Sequence, residues 1–373
     1  MNTECIETGW PSNRDFLRKF NKKTTNLRVP ISGSLDLTHK CNLRCIHCYL
    51  GDRNKKAQQE LTTSRMLSII DEITEAGCLY LLITGGEPLL RADFSEIYRH
   101  SKKNGLIVTV FTNGTIITDS ILELFVDFPP HVIEISLYGA TASTYEKITG
   151  VEGSFGKCLS GIRRLLEHKI HLRLKTILMT LNSHEFFDME RMAKEFGVKF
   201  RFDAAIFPRM DGDKYPLNLR VSPEDAVEKE LYDNKRRFHW GKYFEETKGQ
   251  HFSDSLYCCG AGLTGFYIDP SGGLQPCLMT TGIRYDISKG SFADGWRDVL
   301  SHIRDKKAAK ISECNRCEKK NVCGYCPAFF EMETGSEEVR SEYLCAIGSH
   351  RLHIIKNGNS QGVENAETRQ RED

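Results

Sequence analysis

The chain has 373 residues, enough for one large domain and a smaller one. Its 51 basic and 50 acidic side chains nearly cancel, which excludes a global field drawing it to nucleic acid or an anionic membrane surface. No apolar run reaches membrane-spanning length and "MNTECIETGWPSNRDF" lacks a signal-peptide layout, so a cytoplasmic location is expected and the fourteen cysteines point to metal rather than disulfides.

Residues 1–30 read as an N-terminal extension. From 31 to 205 short apolar runs alternate with helical patterns, and "ISGSLDLT", "LYLLITGG", "LIVTVFTNG", "VIEISLYG", "HLRLKTILM" and "VKFRFDA" predict six strands. Between them, "TTSRMLSIIDEITEAG" puts Met66, Ile69, Ile70 and Ile73 on one helical face and stops at Gly77. The segment "SFGKCLSGIRRLLEHK" does the same with Phe155, Cys158, Ile162 and Leu165. Regular βα alternation with near-continuous apolar strands predicts a parallel sheet covered by helices. Six units fit a partial (β/α)6 TIM-like barrel that binds ligands at the C-terminal ends of its strands; a flat doubly wound sheet fits the same alternation.

The alternation stops at 206, and 206–257 reads as a bridging segment in which Ser222 caps a helix with Pro223 in its first turn. Residues 258–350 carry eight of the fourteen cysteines and read as a small Cys-rich domain organised by metal. The last stretch, 351–373, ends in a polar run with Val363 as its only bulky apolar residue and is expected to be disordered.

Three thiols, Cys41, Cys45 and Cys48, stand in the loop leaving the first strand. A cubane cluster has four irons, so three cysteines leave one iron open to a non-protein ligand. A zinc site completed by His47 or His39 fits the same three thiols. The second strand ends in Gly85, Gly86, Glu87 and Pro88, where side-chain-free backbone permits close approach to a ligand. Exposed amides and a carboxylate there could hold the charged amino group of an amino acid.

Together the cysteine loop and "GGEP" resemble the radical S-adenosylmethionine superfamily. The resemblance implies that the open iron chelates the methionine end of S-adenosylmethionine (SAM) and that Glu87 with its neighbours holds the amino group. It implies reductive cleavage to a 5'-deoxyadenosyl radical, which abstracts hydrogen from a substrate. His47 occupies the family's aromatic position beside the adenine, and Asn113 and Ser136 match cofactor-lining positions. Downstream, "YCCGAGLTGFYIDPSGGLQPC", "CNRCEKKNVCGYC" and Cys345 resemble the SPASM extension, which carries up to two auxiliary [4Fe-4S] clusters. By that resemblance Cys314, Cys317, Cys323 and Cys345 hold an outer cluster. Cys259, Cys277 and Cys326 hold an inner one, with Cys258 the candidate fourth ligand.

Two features depart from the family pattern: only "GY" separates Cys323 from Cys326, and Cys258 and Cys259 are adjacent. If adjacent residues cannot share a cluster, the inner one has three protein ligands and an open iron. A zinc ribbon is the alternative for the whole block. Three clusters account for all the cysteines except Cys5, Cys78 and Cys158, which read as a thiol in the N-terminal extension and two core residues.

Similar enzymes crosslink or oxidise ribosomally made peptides, so a peptide substrate is expected, with a haem-precursor decarboxylase or a sulfatase maturase as alternatives. The maturases carry an aspartate just after the cysteine matching Cys277, and here that residue is Leu278. A non-enzymatic electron carrier would have no use for "GGEP". Arg201 and Asp203, alternating with Phe200 and Phe202 on the sixth strand, are substrate-side candidates, and an ion pair is the structural alternative. A flavodoxin- or ferredoxin-type donor and a separate leader-recognition protein are the expected partners.

Overall fold

The computed structural model describes residues 13–51, 59–249, 254–308 and 313–369, with side chains of the last helix described to 357. Cys5 lies outside them. All six expected strands form: β1 Ser32–Asp36, β2 Tyr80–Thr84, β3 Ile107–Thr112, β4 Val132–Ser136, β5 Leu172–Ile177 and β6 Lys199–Asp203. They pair in parallel, in the order β6-β5-β4-β3-β2-β1. This order separates the two arrangements that the sequence leaves open. Parallel crossovers are right-handed, so a sheet that advances in one direction throughout puts every connecting helix on one face. A doubly wound sheet reverses direction part-way. The helix-free face here curls inward as the lumen of a partial barrel, with the (β/α)6 topology expected.

The helices are α1 Asn13–Asn26, α2 Thr63–Glu75, α3 Phe94–Lys103, α4 Asp119–Asp127, α5 Ala142–Thr149, α6 Ser154–Glu167 and α7 Phe186–Glu195. In α2 the Thr62 side chain accepts from Arg65 N, and Met66, Ile69, Ile70 and Ile73 are buried, as the spacing predicts. Gly77, at φ +99°, takes the chain out of the helix. Each such buried side chain contributes about 1.5–3 kcal/mol. The strands differ from the near-continuous apolar reading. Leu81, Ile83, Val108, Val110, Ile133 and Ile135 pack in the helix-side core, while Asp36, Phe111, Glu134 and Lys175 alternate onto the lumen face.

Beyond β1 the sheet continues through β7 Gly265–Ile268, β8 Gly273–Gln275 and β9 Tyr285–Asp286. Strand β7 pairs in parallel with β1, so the Cys-rich segment begins inside the barrel sheet and covers an edge that would otherwise be open. In the bridging segment α8, Pro223–Leu231, starts as expected, with Ser222 accepting from Asp225 N. A second helix there, α9 Asn234–Thr247, was not foreseen. Disorder was expected over 351–373, but 351–369 is helical, and 370–373 lie outside the described residues. A helix runs Glu342–Arg369, and Leu352 and Ile355 are buried with Phe244 and Val322. Those two residues, three apart, share one helical face. Among the described residues no helix is long and apolar enough to cross a membrane.

Candidate active site

Cys41, Cys45 and Cys48 are half-buried in the loop leaving β1, at the C-terminal end of the sheet. Contacts to the end of α5 shape this loop: Arg44 N donates to Thr149 O at 2.7 Å and Ile46 N to Ile148 O at 3.0 Å. Cys48 N donates to Cys45 O at 3.2 Å, which closes a tight turn between two of the thiols.

The turn after β2 is joined to the same loop. Gly86 N donates to Thr38 O at 2.7 Å and Glu87 N to Lys40 O at 2.8 Å. A Cβ on Gly86 would lie 2.4 Å from Lys40 O, and one on Gly85, at φ +134°, 2.4 Å from Thr38 O. The glycines therefore let two stretches of protein backbone meet. This corrects the reading of these amides as exposed to a ligand.

Glu87 is fully buried. Its Oε1 accepts from Thr112 Oγ1 at 2.8 Å and Leu89 N at 3.1 Å, and its Oε2 from Asn113 N at 2.8 Å. Burial outweighs these donors and pushes the carboxyl up to about 7. A carboxylate can accept about four hydrogen bonds, so Oε2 keeps one acceptor position beyond these donors. Pro88 opens a short 3-10 turn, Pro88–Leu90, that holds this carboxylate's own loop. Asn113 Nδ2 donates to Asn42 Oδ1 at 2.9 Å and reaches Cys41 Sγ at 3.9 Å, which ties β3 to the thiol loop. Thr112, Asn42 and Thr115 complete this network. Nothing in the sequence singled those three out, because the contacts that join Asn42 to Thr115 and Thr112 to Glu87 cross between distant segments.

His47 packs edge-on against Tyr138 at 4.5 Å. Its Nδ1 is buried with no partner, and burial lowers its pKa to about 4, so the ring is neutral. An unsatisfied ring nitrogen beside three thiols suits a cradle that a bound group completes. Ser136 is half-buried at the end of β4, and its carbonyl faces the Cys158 thiol at 3.9 Å. Arg201 donates through Nε to Glu134 Oε2 at 2.9 Å, so it is held in an ion pair across the lumen, with Arg173 at 4.0 Å from the other oxygen. Asp203 accepts from Ala205 N at 2.8 Å and borders a cavity of about 300 Å³. That cavity also touches Cys323 and Cys326.

The downstream thiols fall into two groups. Cys314, Cys317, Cys323 and Cys345 line one cavity of about 50 Å³. Cys277 and Cys326 pack beside Leu256, Tyr257 and Ala328, and burial pushes the Cys326 thiol up to about 11, with the neighbouring Cys277 and Cys259 thiols acting in the same direction. Cys258 is exposed and its thiol turns to Ser255 O at 3.7 Å. Among the described residues no three metal-ligating side chains close on a single ion. The four outer thiols instead share one cavity.

Residues 35–196 match the family model of the radical SAM superfamily. The chain carries a radical SAM domain. The chain is 29% identical over 324 residues to the AdoMet-dependent heme synthase of Methanosarcina barkeri, over 80% of this chain and 92% of that one. It is 24% identical over 369 residues to AlbA, an antilisterial bacteriocin subtilosin biosynthesis protein of Bacillus subtilis, over 93% of this chain and 77% of that one. Streptococcus suis SuiB, crystallised with its precursor peptide SuiA, shares the fold at a TM-score of 0.70 and 18% identity, over 92% of this chain and 84% of that one. A radical SAM domain works with a [4Fe-4S] cluster and SAM.

Proposed function

We propose that this radical SAM enzyme modifies a ribosomally made peptide, by crosslinking or side-chain oxidation, with two auxiliary [4Fe-4S] clusters in its Cys-rich part. The observation that carries the reading is the gathering of Cys314, Cys317, Cys323 and Cys345, up to 31 residues apart in sequence, around one cavity. Cys41, Cys45 and Cys48 would hold the SAM cluster, those four the outer cluster, and Cys259, Cys277 and Cys326 the inner one. Cys258 is the candidate fourth ligand, exposed like Cys259 and with its thiol turned to Ser255 O at 3.7 Å. When bound, the SAM cluster supplies one-electron cleavage of SAM to a hydrogen-abstracting radical.

The chain's own residues do the rest. The free acceptor position of Glu87 takes the SAM amino group, and Asn113 and Ser136 line the cofactor, while neutral His47 offers Nδ1 beside the adenine. Arg201 sets the lumen floor through Glu134, and Asp203 faces the substrate side. AlbA acts in bacteriocin biosynthesis and SuiB holds a precursor peptide, which favours a peptide substrate. The 92% coverage of an AdoMet-dependent heme synthase favours, as a second reading, side-chain decarboxylation of a haem precursor. Leu278, where maturases of sulfatases carry aspartate, speaks against that third activity. The enzyme would work in the cytoplasm, receive electrons from a flavodoxin- or ferredoxin-type donor, and meet its substrate through a separate leader-recognition protein.

The test is anaerobic co-expression with candidate precursor peptides, read by mass spectrometry, alongside incubation with a haem precursor. A mass change in a peptide that disappears when Cys41, Cys45 and Cys48 are changed to Ala supports the reading. Turnover of the tetrapyrrole alone moves the assignment to the second reading.

A further inference from the structure

The loop between Cys317 and Cys323 reads "EKKNV", and its turns bring both lysines to the outer thiol cavity. Lys320 N donates to Cys317 O at 3.1 Å, and Val322 N and Cys323 N donate to Lys319 O at 2.8 and 2.9 Å. The lysines are thus fixed by the backbone turns that also position two of the thiols. Lys319 Nζ crosses to the C-terminal helix, where it lies 3.6 Å from Cys345 Sγ and 2.9 Å from Ser349 Oγ. Lys320 is only 4% exposed; its Nζ donates to Asn315 Oδ1 at 3.1 Å and sits 4.2 Å above the Tyr325 ring.

Burying an ammonium is costly unless negative charge lies near it. Four thiolates around a cluster bring such charge to this cavity. Glu313 lines the same cavity but pairs there with Arg340 at 2.8 Å, so those two charges offset each other, and Glu318 pairs with Lys356 at 2.9 Å. The inner group is built differently. Cys277 and Cys326 pack against apolar side chains, and Arg304 reaches the carbonyl of Cys259 rather than a thiol.

We infer that Lys319 and Lys320 raise the reduction potential of the outer cluster above that of the inner one, which makes the outer site the resting place of electrons within the Cys-rich part. The physical ground is that cluster potentials follow net charge and hydrogen bonds to the sulfurs. An N–H···S contact from Lys319 and a buried cation at Lys320 both favour the reduced, more negative state. The inference rests on the two-cluster reading above.

Redox titration of the anaerobically reconstituted holoenzyme, followed by electron paramagnetic resonance, tests it. The outer signal is the one missing from a Cys317→Ala variant. Lys319→Gln and Lys320→Met are each expected to move that signal to a more negative potential and leave the other two in place, while Lys319→Arg holds it near the wild-type value. A full iron complement with an unmoved outer potential overturns the inference, and so does loss of the outer irons from both variants, which would make the lysines structural. Wild-type enzyme without two auxiliary clusters would reject the underlying reading instead.

Discussion

Asp36 shows how far a single carboxyl can be pushed in this barrel mouth. It has no exposure, its Oδ2 accepts from Tyr267 Oη at 2.8 Å, and its Oδ1 is buried with no partner. Burial raises its pKa from 3.8 to about 7, against the opposing effect of the Tyr267 hydrogen bond. A folded-state value above the unfolded one means that folding favours the protonated form. The stabilising contribution is complete below the unfolded value and is lost as pH rises through about 7. Between pH 5 and 7 the stability of the enzyme should therefore fall with rising pH, by up to about 1.4 kcal/mol per pH unit from this one group. Asp36→Asn, which is neutral throughout, should flatten that slope. Thermal unfolding of the two proteins across this range is the measurement, and parallel pH profiles would show that Asp36 does not titrate in the fold.

At the scale of elements, the site is two loops sewn together by their backbones. The Gly86 position faces Lys40 O and His39 O, at 2.4 and 2.7 Å from where a Cβ would stand. Neither neighbour is the end of a flexible side chain, so Gly86→Ala must move the thiol loop. Such overpacking typically costs about 1–3 kcal/mol. We expect Gly86→Ala to fold, to lose about four irons by displacement of the Cys41–Cys48 loop, and to stop making deoxyadenosine. Iron analysis with a cleavage assay checks it; normal SAM cleavage would mean that the loop tolerates the shift. The six strands and the α2 face were legible in the sequence because their periodicity is local. So was the pairing of the cysteine loop with the glycines, although their true contact was not: "GGEP" looks equally suited to a ligand or to another chain segment until Thr38 and Lys40 are placed beside it. Arg201 is another such case. Alternation on β6 put it on the face opposite Phe200 and Phe202, but its partner Glu134 lies two strands away, a distance that no local pattern encodes.

Across the whole molecule, the C-terminal helix joins the barrel side to the outer thiols. One turn supplies Cys345 to the outer cavity, and further on Arg351 Nε donates to Glu230 Oε2 of α8 at 2.8 Å. Beyond it Leu352 and Ile355 close an apolar cluster with Phe244 of α9 and Val322, the residue preceding Cys323. Composition hid this role, since the polar run after 356 outweighs two aliphatic side chains in any average. The contacts imply that the outer site depends on packing well past its last cysteine. Leu352→Ala should cost about 2–5 kcal/mol, as other buried leucines do. Because Val322 adjoins Cys323, on the proposed two-cluster reading the same change should loosen the outer cluster first, taking iron from about twelve per chain toward about eight. SAM cleavage, housed in the barrel, should persist. Truncation after Asn357 leaves every contact named here in place and should behave as wild type, whereas truncation after His350 should match or exceed the effect of Leu352→Ala. Anaerobic iron counts and melting curves on the three variants decide the matter, and full iron retention after truncation at His350 would show that the helix beyond His350 has no part in holding the outer site.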